Sequence, residues 1–252
     1  MNTTQSLEQM RELKLTGMTH SYQSQLELSV NHQLEGHELI AHLLQAEKLY
    51  RSNARLVALL HAAKLRFDAI PESIECNASR NLSKGQWSLL LEGTYVQQGE
   101  NILITGATGC GKSYVACALG YQACLLGIKT RYYNMNRLIE VISMAKTEGS
   151  YIKFLNSLEK IPLIILDDFG LQALNKNMKL AILQIMEDRY AKKSLIVTSQ
   201  LPVASWYEYL DEPTLADAIM DRMTAKCHRL ELKGESRRKK KINIINTDTV
   251  SS

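Results

Sequence analysis

The segment from Gly106 to Ser113 carries the most specific chemical pattern in this sequence. It reads GATGCGKS and fits the phosphate-loop pattern G-x-x-x-x-G-K-[ST] at all four fixed positions. Glycines let backbone N–H groups converge on phosphate oxygens, because no side chain stands in the way. In such loops the lysine reaches the β- and γ-phosphates, and the hydroxyl that follows it ligates Mg²⁺. We therefore predict a site for ATP and Mg²⁺, whose nucleotide contacts are Gly106, Ala107, Thr108, Gly109, Cys110, Gly111, Lys112, Ser113 and Tyr114.

Two adjacent carboxylates form a second chemical pattern. Asp167 and Asp168 directly follow the continuously apolar run 163–166. Such a run indicates a parallel strand covered on both faces, and open α/β sheets bind ligands at the carboxyl ends of their strands. We predict that Asp167 holds Mg²⁺ through its water shell while the Ser113 hydroxyl ligates it, and that Asp168 acts as a general base or positions the attacking water. The alternative is an Asx turn that ends the strand.

A polar tip follows another apolar strand pattern, at residues 194–197. In sheets of this kind the strand lies between those that carry the phosphate loop and the acidic pair, so its tip reaches the γ-phosphate or the attacking water. The candidate side chains are Thr198, Ser199 and Gln200. The alternative interpretation is a strand exit built from turn-forming residues.

An arginine near the end of an amphipathic helix pattern is a further candidate. Arg222 ends the segment 214–222, and an arginine at such a place can reach the γ-phosphate held by a neighbouring subunit. A guanidinium there stabilises charge on the transferred phosphoryl group. The alternative is a local charge pair with Asp221 or a charge at a helix end.

Strand and helix patterns alternate from about residue 81 onward. Strands are predicted at 101–105, 129–133, 163–168, 194–198 and 227–232, and helices at 87–91, 114–126, 137–146, 151–158, 178–190 and 214–226. This alternation predicts an α/β fold with a parallel sheet and helices on both of its faces. Residues 1–66 show only helix patterns: a first helix closed by Gly17, a second over 18–30 and a third over 35–66.

These patterns predict four parts of the chain. They are a helical DNA- or partner-binding domain (1–66), a linker (67–80), an ATPase domain (81–241) and a tail (242–252).

Positive charge is concentrated toward the end of the sequence. The chain has a net charge of +4, yet residues 222–241 contain nine basic and two acidic side chains. Such asymmetry favours an anionic partner, above all nucleic acid, and the alternative is a solvated basic tail. A second basic group recurs at i, i+3 and i+7 of the third helix, and it forms either a solvated face or one that contacts phosphates. The DNA-contact candidates are Lys48, Arg51, Arg55, Arg237, Arg238 and Lys239.

Composition indicates where the protein works. No apolar stretch reaches the length of a membrane span, and the first ten residues carry no signal-peptide pattern. The five cysteines form no C-x-x-C pair, which is typical of reduced thiols. We therefore expect a cytoplasmic protein with no membrane partner.

Segments along nearly the whole chain carry a family resemblance. The chain resembles IstB-type transposition helper ATPases, relatives of the DnaC-like helicase loaders within the AAA+ superfamily. This resemblance implies a P-loop AAA+ ATPase that assembles into a homo-oligomer with ATP and double-stranded DNA. It also implies that the protein assists the transposase encoded by the same element in selecting target DNA. The segments that carry it are 13–18, 46–47, 62–66, 101–113, 189–190, 198–202, 205–206, 218–222 and 234–238.

The sequence departs from this family pattern at two positions. The family usually has Asp-Glu where this chain has Asp167-Asp168, and the shorter Asp168 predicts slow hydrolysis with ATP binding retained. Gln200 stands where related proteins tend to have Asn. The chain also ends soon after the last strand pattern, which predicts no C-terminal helical lid.

Three alternative functions share the same motifs. They are a replicative helicase loader, a small-molecule kinase, and a nucleotide-binding adaptor that does not turn over. The basic C-terminal segment and Arg222 weigh against the kinase.

Overall fold

A helical unit precedes an α/β unit in this protein. The computed structural model describes residues 2–29, 34 and 36–236. The first compact unit is Met1–Ala58 and the second is Leu59–Ser252. The first three helices are α1 (Thr3–Glu12), α2 (Thr16–Glu27) and α3 (Gly36–Ala63). The boundary between the units therefore falls within α3. No helix in the described ranges is long and apolar enough to cross a membrane.

Gly17 lies inside α2, so the prediction that it closes the first helix is wrong. The chain turns earlier, at Lys14, which has a left-handed φ of 56°. Gly17 faces α3, and a Cβ added to it would lie 2.6 Å from the carbonyl oxygen of Ala46. The backbone N–H of Met18 donates to the Glu47 carboxylate of α3 at 3.0 Å. The glycine is needed because two helices approach each other closely here.

Five parallel strands form the sheet in the described part of the second unit. They are β1 (Asn101–Gly106), β2 (Thr130–Asn134), β3 (Leu163–Phe169), β4 (Ser194–Ser199) and β5 (Cys227–Leu232). Their spatial order is β2-β3-β4-β1-β5. The predicted place of β4, between β1 and β3, is therefore confirmed.

Helices cover both faces of this sheet. They are α4 (Lys84–Leu91), α5 (Thr94–Gln97), α6 (Lys112–Leu125), α7 (Met135–Thr147), α8 (Tyr151–Glu159), α9 (Lys176–Arg189), α10 (Trp206–Leu210) and α11 (Pro213–Thr224). Leu103 and Ile164 belong to one core, with α7, α8, α9, α10 and α11. Ile102 and Ile165 belong to the other, with α4, α5 and α6. Neighbouring strand residues are thus buried on opposite faces, which explains the continuous apolar runs and confirms the predicted α/β fold.

Residues 67–80, predicted to be a linker, pack into the second unit. Ala69 and Ile74 are buried in the same core as α6. Arg80 is 5% exposed and donates to the carbonyl oxygens of Glu75 at 3.0 Å and Cys110 at 3.1 Å. The predicted domain boundary at residue 66 therefore falls inside the α/β unit, and this segment supports the phosphate loop. Up to residue 236, no helix follows β5.

Candidate nucleotide-binding site

The predicted phosphate loop connects β1 to α6, as the motif requires. Gly106, Gly109 and Gly111 all have positive φ, of 145°, 84° and 99°. A Cβ at Gly106 would collide with the carbonyl oxygen of Leu232, and one at Gly109 would collide with the Ser236 side chain. Gly106 and Gly109 are required both by backbone conformation and by space, and Gly111 by backbone conformation. The loop leads directly into the start of α6, where the helix dipole favours anions.

Lys112 lies at the centre of this loop. Its side chain is buried, and its Nζ donates to the carbonyl oxygens of Gly106 at 2.8 Å and Ala107 at 2.9 Å. The Thr108 hydroxyl donates to Oε1 of Gln200 at 2.6 Å. The structure thus brings the ammonium and the predicted polar tip of β4 to the same loop.

The Asp167 carboxylate is fully buried at the carboxyl end of β3. Its Oδ1 accepts a hydrogen bond from the Thr198 hydroxyl at 2.5 Å, and its Oδ2 accepts one from the Tyr132 hydroxyl at 2.5 Å. Burial and the Asp167 carboxylate raise the pKa of Tyr132 well above its ordinary value, so this hydroxyl remains a donor. Thr198 also accepts from the backbone N–H of Asp168 at 3.1 Å. Thr198 therefore orients the acidic pair.

Asp168 adopts a left-handed backbone conformation, with φ of 66°, which Asp tolerates better than most residues. Its Oδ2 accepts from Asn134 Nδ2 at 3.1 Å and pairs with Arg66 Nη1 at 3.4 Å. Burial raises the pKa of Asp168, and the Asp167 charge adds to this, while Arg66 and Lys112 oppose it. Two carboxylates so close together need cations nearby.

Three residues of this site were not predicted from the sequence as site residues. Tyr132 and Asn134 follow from β2, which pairs with β3 so that Asn134 lies beside Asp167. Polar residues at the carboxyl end of β2 were the available signal, because parallel strands end at the same edge. Arg66 lies in the segment that follows α3, and the sequence gives no signal for its place.

Two predicted site residues, Ser199 and Tyr114, form hydrogen bonds within the protein. The Ser199 hydroxyl is buried, donates to the Phe169 carbonyl oxygen at 2.6 Å and accepts from the Leu201 N–H at 3.1 Å. It therefore fixes the turn after β4. The Tyr114 hydroxyl hydrogen-bonds to Ser73 Oγ at 3.0 Å, on the side of α6 that faces residues 67–73.

The donor set at this site suits magnesium that arrives with a nucleotide. Across the described ranges, no cluster of three or more His, Cys, Asp or Glu side chains could hold a metal ion by itself. Mg²⁺ is usually bound by one or two carboxylates together with substrate phosphates. The Asp167 carboxylate and the Ser113 hydroxyl, at the start of α6, have the chemistry for that role.

Arg222 lies near the amino end of β1, whereas the phosphate loop of the same chain follows the carboxyl end of β1. Its carbonyl oxygen accepts from Asn101 Nδ2 at 3.2 Å, where β1 begins. Its guanidinium pairs with Glu187 and donates to the Ala218 carbonyl oxygen at 2.9 Å. The local pair is therefore formed with Glu187, and Asp221 lies farther away at 3.9 Å. A role of Arg222 toward a neighbouring subunit stays a prediction.

The basic side chains predicted to contact DNA divide into two sets. Lys48, Arg51 and Arg55 are exposed on α3, and their spacing places them on one face. Arg51 pairs with Glu47 at 2.7 Å. Burial raises the pKa of Glu47, but the hydrogen bonds from Arg51 and Met18 outweigh burial and keep this pKa below its ordinary value. The second set, Arg237, Arg238 and Lys239, lies outside the described residues.

Comparison with known families shows which family the chain belongs to. A family model described as IstB-like ATP binding protein matches residues 8–243.

The chain belongs to the IstB-like ATP binding protein family.

Several relatives of this IstB-like protein match it over nearly their whole length. Two insertion sequence ATP-binding proteins of Sinorhizobium fredii are 37% and 40% identical over 234 residues, which is 93% of this chain and 96% and 94% of theirs. The insertion sequence IS21 ATP-binding protein of Pseudomonas aeruginosa is 28% identical over 240 residues, which is 94% of this chain and 91% of its own. The resemblance stated from the sequence is confirmed.

Solved structures share the α/β fold of the IstB-like chain. The DnaC helicase loader superposes with a TM-score of 0.56 at 21% identity, over 68% of this chain and 100% of its own. AMPPCP-bound DnaA from Aquifex aeolicus superposes with a TM-score of 0.58 at 19% identity, over 73% of this chain and 57% of its own. At this identity the likeness concerns the fold alone.

Proposed function

We propose that this IstB-like protein is an ATP-hydrolysing, DNA-binding oligomer that assists the transposase of its insertion sequence in selecting target DNA. The observation that carries the proposal is the shared sheet edge of the phosphate loop and the Asp167–Asp168 pair. The relatives of this protein are named as ATP-binding proteins of insertion sequences. The net charge of +7 over residues 222–241 supports an anionic partner.

The residues of the site divide the chemistry among themselves. The loop N–H groups and Lys112 bind the phosphates, and Ser113 and Asp167 hold Mg²⁺. Mg²⁺ held by these residues would supply positive charge to the phosphate oxygens. Asp168 orients the attacking water or accepts its proton, and Gln200 presents its amide beside the loop. Because Asp168 is shorter than Glu, we expect hydrolysis to be slow and ATP binding to be retained.

Assembly of subunits would connect ATP to DNA. ATP bound between subunits would bring Arg222 of one copy toward the γ-phosphate held by the next copy. The same contacts would align basic patches into one track, which strengthens DNA binding through multivalency. Hydrolysis would then release the DNA.

We expect duplex DNA binding to be steeply salt-dependent, weakly sequence-dependent and stronger with ATP. Each Lys or Arg that contacts a phosphate contributes about 0.9 to the slope of log K against log salt. Changing Arg237, Arg238 and Lys239 to Gln should flatten this slope by up to about 2.7. The measurement is fluorescence anisotropy of labelled duplexes of several sequences, across a salt series with and without ATP.

A matched control carries the same change of charge elsewhere. Lys153, Lys160 and Lys192 are exposed on the α/β unit, and their joint change to Gln should leave the slope unchanged. Changing Lys48, Arg51 and Arg55 to Gln tests the surface of α3 separately. If the affinity for DNA responds neither to salt nor to either triple substitution, the DNA-binding proposal is rejected and a partner that is a protein alone is favoured.

A helicase loader is the second candidate, because the DnaC helicase loader shares the fold. The two functions differ only in the partner protein. Co-purification with ATP and DNA, using the transposase encoded by the same element and the replicative helicase of the same cell, separates them. We expect retention of the transposase alone.

We expect Arg222 to act across subunits. An Arg222→Ala protein and a Lys112→Ala protein should each lack ATPase activity, and mixing them should restore part of it. The reason is that mixed interfaces pair an intact loop with an intact arginine. The measurement is steady-state ATPase activity over a series of mixing ratios with duplex DNA.

Glu187→Ala provides the control for the Arg222 experiment. It removes the local partner of Arg222 and should keep most of the activity. If mixing never restores activity and Glu187→Ala reproduces the loss, Arg222 has only its local structural role.

A further inference from the structure

The Arg66 guanidinium lies against both carboxylates of the acidic pair. Its Nη1 is 3.2 Å from Asp167 Oδ2 and 3.4 Å from Asp168 Oδ2. The Arg66 side chain is 41% exposed, whereas that of Asp167 is fully buried. A partly exposed guanidinium therefore contacts both carboxylates at the end of β3.

Both carboxylate oxygens of Asp167 already accept hydrogen bonds. Oδ1 accepts from Thr198, and Oδ2 accepts from both Tyr132 and Arg66. The hydroxyls come from neighbouring strands of the sheet, and neutral hydroxyls can stay beside a metal. The guanidinium carries a positive charge that would repel Mg²⁺ at this short range. Arg66 is thus the partner that must leave.

We propose that Arg66 competes with Mg²⁺ for the Asp167–Asp168 pair, so that loading of Mg²⁺-nucleotide displaces the guanidinium. This inference rests on the proposed role of Asp167 in holding Mg²⁺. It adds a charge exchange: without the metal Arg66 neutralises the carboxylates, and with the metal it is released. Arg66 would therefore set the magnesium dependence of nucleotide binding.

The position of Arg66 gives the exchange a route to the rest of the α/β unit. Arg66 follows the end of α3 at Ala63 by three residues. The carbonyl oxygen of Ala62, in the last turn of α3, accepts from Arg131 Nη1 of β2 at 2.7 Å. Tyr132, the next residue of β2, contacts Asp167. Release of Arg66 would change the contacts between the metal site and the segment after α3.

The test compares ATP affinity in Mg²⁺ with that in EDTA, using a fluorescent ATP analogue without DNA. For Arg66→Gln we expect the ratio of the EDTA Kd to the Mg²⁺ Kd to rise about three- to tenfold. The rise follows because no cation must be displaced, and each of the two partly exposed contacts of Arg66 is worth up to about a fivefold effect. Arg66→Lys, which keeps a cation, should return the ratio toward the wild-type value.

Thermal unfolding supplies a second readout that needs no turnover. Without metal, Arg66→Gln should unfold at a lower temperature than wild type, because it leaves two carboxylates unbalanced. Saturating Mg²⁺-ATP should reduce or remove this difference. Arg131→Gln is the matched control, since its guanidinium contacts a carbonyl oxygen rather than the acidic pair. It should leave the affinity ratio unchanged.

Two outcomes would overturn the inference. An unchanged or lower ratio in Arg66→Gln would mean that Arg66 does not compete with the metal, and a lower ratio would indicate contact with the γ-phosphate. Should Arg66→Gln not fold, Arg66→Met, which keeps the length of the side chain without its charge, is measured instead, and an unchanged or lower ratio there would have the same meaning. If wild type itself binds ATP equally well in EDTA, the metal role of Asp167 fails first.

Discussion

Replacing Lys112 by alanine should abolish tight ATP binding and every ATP-dependent assembly of the protein. The ammonium is buried at the loop centre and already donates to the carbonyl oxygens of Gly106 and Ala107. Removing one partner of a buried charged contact costs about 2–5 kcal/mol, so the Kd for ATP should rise at least about 30-fold. Titration with a fluorescent ATP analogue measures the Kd, and light scattering measures assembly.

Two controls separate loss of binding from loss of folding. Lys153→Ala removes an exposed lysine from the same unit and should bind ATP as wild type does. Lys112→Arg keeps the charge but replaces a compact ammonium by a planar fork, and we expect weak binding. Wild-type ATP affinity in a folded Lys112→Ala protein would remove the phosphate-loop assignment.

The phosphate loop and the acidic strand could be predicted because short-range chemistry determines them. Positive φ at Gly109 and Gly111, and burial of Asp167 at a strand end, each follow from a few adjacent residues. The place of β4 between β1 and β3 was also predicted, since few topologies satisfy this alternation of strands and helices.

The partners of the acidic pair could not be predicted in the same way. Tyr132 and Asn134 reach Asp167 and Asp168 only through the register between β2 and β3. Arg66 reaches them because the chain after α3 packs into the α/β unit rather than forming a linker. These contacts join residues that are far apart in sequence, and local periodicity carries no record of them.

The structural roles of Gly17 and Arg189 could not be predicted from their neighbours in the sequence. Gly17 suggested a helix end, yet its role is close contact between α2 and α3, which depends on residues 46–50. Arg189 is fully buried and donates to the carbonyl oxygens of Ile161 at 2.9 Å and Ser194 at 2.8 Å. Burial lowers the pKa of Arg189 to about 10. It fixes the chain where β3 and β4 begin, a role that its sequence neighbours do not indicate.

Changing Asp168 to asparagine should separate ATP hydrolysis from ATP binding. The amide keeps the size of the side chain and tolerates the left-handed backbone, but it cannot accept a proton. A positioned general base contributes about 10²–10⁴-fold, so kcat should fall by that factor. ATP affinity should stay within about threefold of wild type, because we expect Lys112 and the loop N–H groups to bind the phosphates. Steady-state ATPase assays and the fluorescent ATP titration measure the two quantities.

Two matched variants test how the carboxylates share the work. Asp167→Asn removes the same charge one residue earlier, and it should weaken ATP binding in Mg²⁺ while leaving binding in EDTA nearly unchanged. Asp168→Glu adds one methylene, and it should raise turnover if the short reach of Asp168 limits hydrolysis. Normal hydrolysis by Asp168→Asn would place the base elsewhere. If Asp167→Asn weakens ATP binding equally in Mg²⁺ and in EDTA, the alternative of a strand-ending turn is favoured. In such a turn Asp167 acts through its hydrogen bonds and not through its charge.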